Sequence, residues 1–294
     1  MLNTFIQLFP IIVPTLLIVL LGFIWNKVGN QVNQSEITNI ITWVGAPCLI
    51  FNTLIKLESS IFIVQNVIIA AILMILIMFA CSYIVLKLFK YPIRPLINTM
   101  TFANSGNIGM TISLFAFGFI GLELAVIYFM VSSMLHFTIG LSIWSGKWSF
   151  KFLLKTPVLY AVLAGLTINF NNIELPRTIT NTTSILSGIT IPLLLFTMGI
   201  SINKISYRIE PKIVILIILR IFIATYVAYL LTIFLDIKGI ARNVIILQGV
   251  LPAPIFTYLF ASQFNVSPEK VANYLMTSTF ISLFTITIFL TLIL

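Results

Sequence analysis

The sequence predicts an all-α integral membrane protein: ten transmembrane helices arranged as two inverted five-helix repeats, with the fourth and ninth helices broken and crossing. Three observations carry that prediction. The 294 residues are 60% hydrophobic and only 8% charged, with a mean hydropathy of +1.15, outside the range of soluble globular chains. Apolar runs consume nearly the whole chain, each near the roughly 20 residues that cross a bilayer as a helix. Two of those runs are interrupted midway by residues that a lipid-facing helix does not use.

The first span runs from Leu8 to Asn26, opened by Pro10 and Pro14. No Lys or Arg precedes it, so it lacks the charged leader of a cleaved signal peptide and is expected to stay in the mature chain. The second, Glu36 to Leu54, bends at Gly45-Ala46-Pro47, and the third, Phe62 to Phe89, is the longest. Tyr91-Pro92-Ile93-Arg94-Pro95 is a turn signal, beyond which Leu96 to Phe119 forms the fourth span. The fifth runs from Glu123 to Trp144. A basic connection, Lys147 to Lys155, leads to a short sixth span, Pro157 to Phe170, and a polar loop through Asn171, Asn172 and Pro176. The seventh, Ser184 to Ile202, bends at Pro192, and the eighth, Lys212 to Leu235, carries Arg220 inside it. The ninth, Ala241 to Phe264, is interrupted by Leu251-Pro252-Ala253-Pro254, and Pro268 to Leu294 is the tenth.

The chain is organised around Ala103-Asn104-Ser105-Gly106-Asn107-Ile108-Gly109, which sets two asparagines, a serine and two glycines inside an apolar run. Glycine costs a helix interior roughly 1 kcal/mol relative to alanine, and asparagine competes for backbone hydrogen bonds. A packing face of small residues accounts for Gly106 and Gly109 but leaves Asn104 and Asn107 unexplained. The composition therefore predicts a helix broken at membrane depth, where irregular backbone survives only beside protein or a watery cavity.

An internal repeat fixes the architecture. Glu123-Leu-Ala-Val-Ile-Tyr128-Phe-Met130-Val-Ser132 matches Glu269-Lys-Val-Ala-Asn-Tyr274-Leu-Met276-Thr-Ser278 at an offset of 146 residues. The same offset carries Gly106 to Pro252 and Ile108 to Pro254, so the two interrupted helices are counterparts. Pro47 to Phe51 agrees with Pro192 to Phe196 within a residue. Residues 1–146 and 147–294 are then two repeats of one membrane domain, and five helices per repeat force opposite insertion. Lys27, Lys87, Lys90, Arg94, Lys147, Lys151, Lys155, Lys204, Arg208, Lys212 and Lys270 fall on the side of the odd-to-even loops, against Lys56, Arg177, Lys238 and Arg242 on the other. That bias places the first set in the cytoplasm and both termini outside the cell membrane. It also assigns the net charge of +9 to topology rather than to nucleic acid.

At the restart of the fourth helix, unpartnered N–H groups and about half a positive charge of helix dipole favour an anion. In the ninth, Pro252 and Pro254 supply no N–H, which frees the carbonyls of Gln248 and Val250. The expected substrate site comprises Asn104, Ser105, Gly106 and Asn107, completed by Gln248, Val250, Pro252 and Ala253, and its ligand is a small organic acid. Asn52, one turn past Pro47, is a further candidate for the pocket, although a bond to a neighbouring helix explains it equally well.

The stretch Asn104-Ser-Gly-Asn-Ile-Gly109, its Pro252-Ala-Pro254 counterpart, the Ser278-Thr279 step and the ten-span length together resemble the auxin efflux carrier family, whose superfamily includes bile-acid-type transporters. The resemblance implies a secondary transporter with substrate beside the crossing of helices four and nine. It implies elevator motion of helices three to five and eight to ten against a homodimerising scaffold of helices one, two, six and seven. The sequence departs from sodium-coupled relatives in placing no Asp or Glu at membrane depth. It also lacks the long central cytoplasmic loop of the plant members.

The remaining polar residues have plainer readings. Arg220, about 12 Å from the basic end of its helix at 1.5 Å per residue, is either functional or a side chain that snorkels back to the interface or pairs with a carbonyl. His136, a turn after Ser132 and Ser133, offers a proton relay but reads first as a packing residue. Glu123 and Glu269 open helices, where the dipole favours them, and Trp144 and Trp148 read as interfacial anchors. Cys48 and Cys81 lie in apolar runs, which argues against a disulfide. Asp236 is the only aspartate and His136 the only histidine, so neither a carboxylate dyad nor a metal centre is expected, and no cofactor is implied. A channel, a receptor or a sodium-coupled organic-anion symporter are the competing readings.

Overall fold

The computed structural model describes residues 2–29, 33–146, 154, 156–204 and 210–293, and every regular element among them is helical. Apart from Leu154, residues 147–153 and 155 of the basic connection, including Trp148, lie outside the described residues, as does Arg208. Among the described residues seven helical stretches are long and apolar enough to cross a membrane, and the shorter Val13–Lys27 and Pro157–Phe170 are apolar as well. Exposed Phe222, Phe234, Phe284 and Leu292 suit hydrocarbon rather than water.

The chain divides into two compact units, Met1–Ile12, Ser60–Ser149 and Ile205–Leu294 in one, and Val13–Ser59 and Phe150–Lys204 in the other. In order, the elements are α1 (Leu2–Lys27), α2 (Gln34–Ile40), a π-helical turn Ile41–Gly45, α3 (Ala46–Ile55), α4 (Ile61–Leu88) and α5 (Ile93–Thr101). A second π-helical turn, Ser105–Gly109, runs into α6 (Met110–Leu135), and a third, His136–Gly140, into α7 (Leu141–Ser145). Then follow α8 (Pro157–Phe170), α9 (Arg177–Gly188), α10 (Thr190–Lys204), α11 (Pro211–Phe234), α12 (Gly239–Val250), α13 (Ile255–Gln263) and α14 (Pro268–Ile293).

Both interruptions have local causes. Leu251 and Ala253 each precede a proline, which drives them out of the helical region, and Leu251 and Pro254 are extended with ψ of 152° and 144°. No proline breaks the earlier helix. There, Phe102 is extended, and Asn104 restarts the helix by accepting the Asn107 N–H on its side chain at 3.2 Å, as an N-cap does. The expected bend in the second span takes the form of the π-helical turn Ile41–Gly45 rather than a kink at Pro47, which lies in the first turn of α3 where a proline's missing N–H is harmless.

The fourth and fifth predicted spans run on as one 53-residue apolar stretch, Ile93–Ser145, helical apart from residues 102–104. Its interior departure from helical geometry beyond Gly109 is Gly118, at φ 69° and ψ −157°, a conformation open essentially to glycine alone. A Cβ at Gly118 would meet nothing within 4 Å among the described residues, so Gly118→Ala is expected to destabilise through backbone strain, by about 1–3 kcal/mol. Thermal unfolding in detergent measures it. Glu123, five residues beyond, is fully buried.

Small residues set the close helix approaches in each unit, as membrane packing requires. In the first unit Gly249 of α12 lies against the backbone of Ala224 and Thr225 in α11. In the second, Gly22 of α1 meets the carbonyl of Phe196 in α10, Gly199 meets that of Val19, and Gly165 of α8 packs on Leu54.

Candidate functional site

The two interruptions meet within the first unit. The Asn104 N–H donates to the Pro252 carbonyl at 2.8 Å, joining one break to the other through main chain, and the Ala253 N–H donates to Ser278 Oγ of α14 at 3.2 Å. Below the cap the helix resumes at once: Ile108 and Gly109 donate to the Asn104 carbonyl at 3.2 and 3.0 Å, and Thr111 Oγ1 donates to that of Asn107 at 2.8 Å. Gly109 allows the contact, because a Cβ there would lie 2.9 Å from Leu251 Cδ1 and 3.2 Å from Gln248 Oε1.

A narrow recess opens on the N-terminal end of the restarted helix. Its walls are Ala103 to Asn107, then Phe129, Ser132, Ser133, His136 and Phe137 from the following helical run, and Pro254 and Phe256 from the second break. With about 20 Å³ of free space, it has room for a single water rather than for an organic acid in this conformation. Two buried polar atoms among its lining residues, Asn107 Nδ2 and His136 Nε2, have no hydrogen-bond partner among the described residues. The His136 ring is fixed by stacking on Phe102, with centroids 4.2 Å apart and planes 14° from parallel, and by an edge contact from Phe260 at 5.9 Å. An unpaired buried donor costs about 1–3 kcal/mol, so these atoms are a standing demand for a polar ligand. Next to the positive end of a helix dipole, the ligand that answers an amide N–H is an anionic oxygen.

The carbonyl ends of the two broken helices are engaged elsewhere. Arg220 of α11 is 3% exposed, and its guanidinium donates to the Met100 and Phe102 carbonyls at 3.4 and 3.5 Å and to those of Gly249, at 3.1 Å, and Leu251. Thr285 Oγ1 takes the Val250 carbonyl at 3.0 Å.

Of the residues expected at the site, Asn104, Ser105, Gly106 and Asn107 line the recess, whereas Gln248, Val250, Pro252 and Ala253 are not among its walls. Gln248 turns its Nε2 back to the Val244 carbonyl at 3.3 Å, and the carbonyl of Val250, expected to be free, holds Thr285. Asn52 belongs to the second unit, where its side chain donates to Ser187 Oγ at 3.3 Å and accepts from Thr183 Oγ1 at 3.0 Å. Sequence reasoning left out Ser132, Ser133 and His136 as wall residues. Their signal was present, since polar residues three and four apart share one helix face. Arg220 reaches inward to four carbonyls, so of its plainer readings the pairing with carbonyls holds and snorkelling does not.

Comparison with known proteins gives a consistent picture. A family model described as membrane transport protein matches residues 146–290. An uncharacterized transporter of Methanocaldococcus jannaschii is 22% identical, over 94% of this chain and 96% of its own length. A second uncharacterized transporter, from Methanothermobacter thermautotrophicus, is 25% identical over 92% of this chain and 94% of its own.

Proposed function

We propose that this chain, which a membrane transport protein family model matches over residues 146–290, is a secondary transporter of a small organic anion, held by a carboxylate at the recess lined by Asn104. The observation that carries the anion reading is the unpartnered Asn107 Nδ2 beside the helix N-terminus, with His136 Nε2 on the facing wall. One carboxylate oxygen takes the amide, and the other is within the province of Ser132, Ser133 or His136. Loading requires the recess to widen, because its present volume excludes even a two-carbon acid.

The transport mode we propose is an elevator, in which the unit bearing the crossing moves as a body and the other unit, with most of α1 and all of α2, α3, α8, α9 and α10, serves as scaffold and homodimer interface. The division of the chain into those two units supports this reading. Ten spans are supported by the 53-residue stretch, about twice what a bilayer takes, together with the two shorter apolar helices. Inversion of the halves is supported by the repeat, and the Lys and Arg bias supports a cell-membrane orientation with both termini outside.

Thermal unfolding of the purified protein with lactate, malonate, malate and indole-3-acetate tests the site. At least one acid is expected to raise the transition in the wild type. Asn107→Ala should weaken that response at least tenfold in concentration, since a hydrogen bond to a charged group contributes about 1.5–3 kcal/mol. An unchanged response in Asn107→Ala refutes the assignment. Saturable counterflow of the stabilising acid in liposomes separates a carrier from a channel or a receptor.

A further inference from the structure

The end of α5 and the end of α12 come from opposite halves of the chain, yet both finish on one side chain. Arg220 bonds Met100 and Phe102 on the first and Gly249 and Leu251 on the second. Each helix C-terminus carries about half a negative charge, so the pair presents roughly one charge to a guanidinium that carries one. Arginine's donors form a planar fork and stay protonated under all ordinary conditions, which suits a permanent bridge between two fixed sets of carbonyls. Converging carbonyls at unwound helix ends are also the ligands with which broken-helix transporters hold monovalent cations.

We propose that the four carbonyls of Met100, Phe102, Gly249 and Leu251 form a monovalent cation site whose resident cation is the tethered guanidinium of Arg220, so that the crossing assembles without sodium or potassium. Arg220 is thus a positioning residue. It holds the carbonyl ends of α5 and α12 while the chain just beyond each break lines the recess, and it keeps the site closed to free ions. The inference stands on the crossing alone and holds whether or not the recess takes an organic acid.

The test uses the full chain in detergent, with no organic acid added, and compares unfolding in sodium, potassium and choline chloride at equal ionic strength. The wild type is expected to unfold at the same temperature in all three, within about 1 °C. Arg220→Ala should unfold lower and become ion-sensitive, gaining at least about 3 °C from sodium, potassium or millimolar guanidinium but not from choline. Rescue by free guanidinium is the readout that lost packing alone would not produce. Arg220→Lys, which keeps the charge without the fork, is expected to fold with a transition between those of the wild type and Arg220→Ala. A wild type stabilised by sodium over choline overturns the proposal, and that arm decides even if Arg220→Ala does not fold. An Arg220→Ala protein equally indifferent to every cation overturns it as well.

Discussion

Gly249→Val is expected to abolish a folded, monodisperse protein, and Gly249→Ala to lower the unfolding temperature by roughly 5–10 °C. A Cβ at 249 would lie 2.7 Å from both N and Cα of Thr225 and 2.9 Å from the Ala224 carbonyl carbon. These are backbone atoms of α11, so no change of rotamer relieves the overlap and the helices themselves must separate. Overpacking ordinarily costs about 1–3 kcal/mol, each kcal/mol being worth about 2–4 °C in a protein approaching this size. Separation also pulls the Gly249 and Leu251 carbonyls away from Arg220, which sits on the same helix that α12 would leave. Steric and electrostatic losses therefore add at this one position. Gly106→Ala is the useful contrast, because its Cβ would meet the ring of Phe129, a side chain able to turn. Size-exclusion profiles and thermal unfolding of the three variants decide the point. Wild-type behaviour in Gly249→Val would mean that α11 and α12 do not approach as described.

What the sequence made legible was the chemistry that acts along the chain. Asn104, Ser105 and Gly106 announced a break because each disfavours a helix interior on its own account, and Pro252 and Pro254 announced the second because proline removes an N–H wherever it sits. Nothing along the chain says which side chain answers a freed carbonyl. Arg220 lies 120 residues from Met100 and 29 from Gly249, and only the tertiary meeting of α11 with the ends of α5 and α12 brings all of them together. Gln248 shows the same limit from the other side: its place before the break suggested a ligand, its Nε2 turns back to Val244 one turn earlier, and its Oε1 is buried with no partner among the described residues. Asn52 took the plainer of its two readings, a polar bond to a neighbouring helix. His136 was ambiguous for a physical reason, since stacking on Phe102 and facing a recess are different uses of one ring and the structure shows it doing both.

Asn104→Ala is expected to weaken both the fold and any anion response, and Asn104→Ser to restore most of the first. The main-chain bonds of residue 104, to Pro252, Ile108 and Gly109, survive either substitution. What alanine removes is the side-chain oxygen that accepts the Asn107 N–H. Away from water that N–H finds no substitute, so the ordinary cap value of about 1 kcal/mol rises toward the roughly 1–3 kcal/mol of an unsatisfied buried donor. Serine is a competent cap and returns an acceptor to the same turn. The anion response falls because Asn107 carries both the N–H that Asn104 fixes and the Nδ2 assigned to the ligand, so a frayed first turn moves the ligand's donor with it. Unfolding of the wild type, Asn104→Ala and Asn104→Ser, each with and without a stabilising acid, measures both effects. Equal transition temperatures in all three would show that the helix restarts without its cap, leaving the junction with Pro252 as the sole cause of the break.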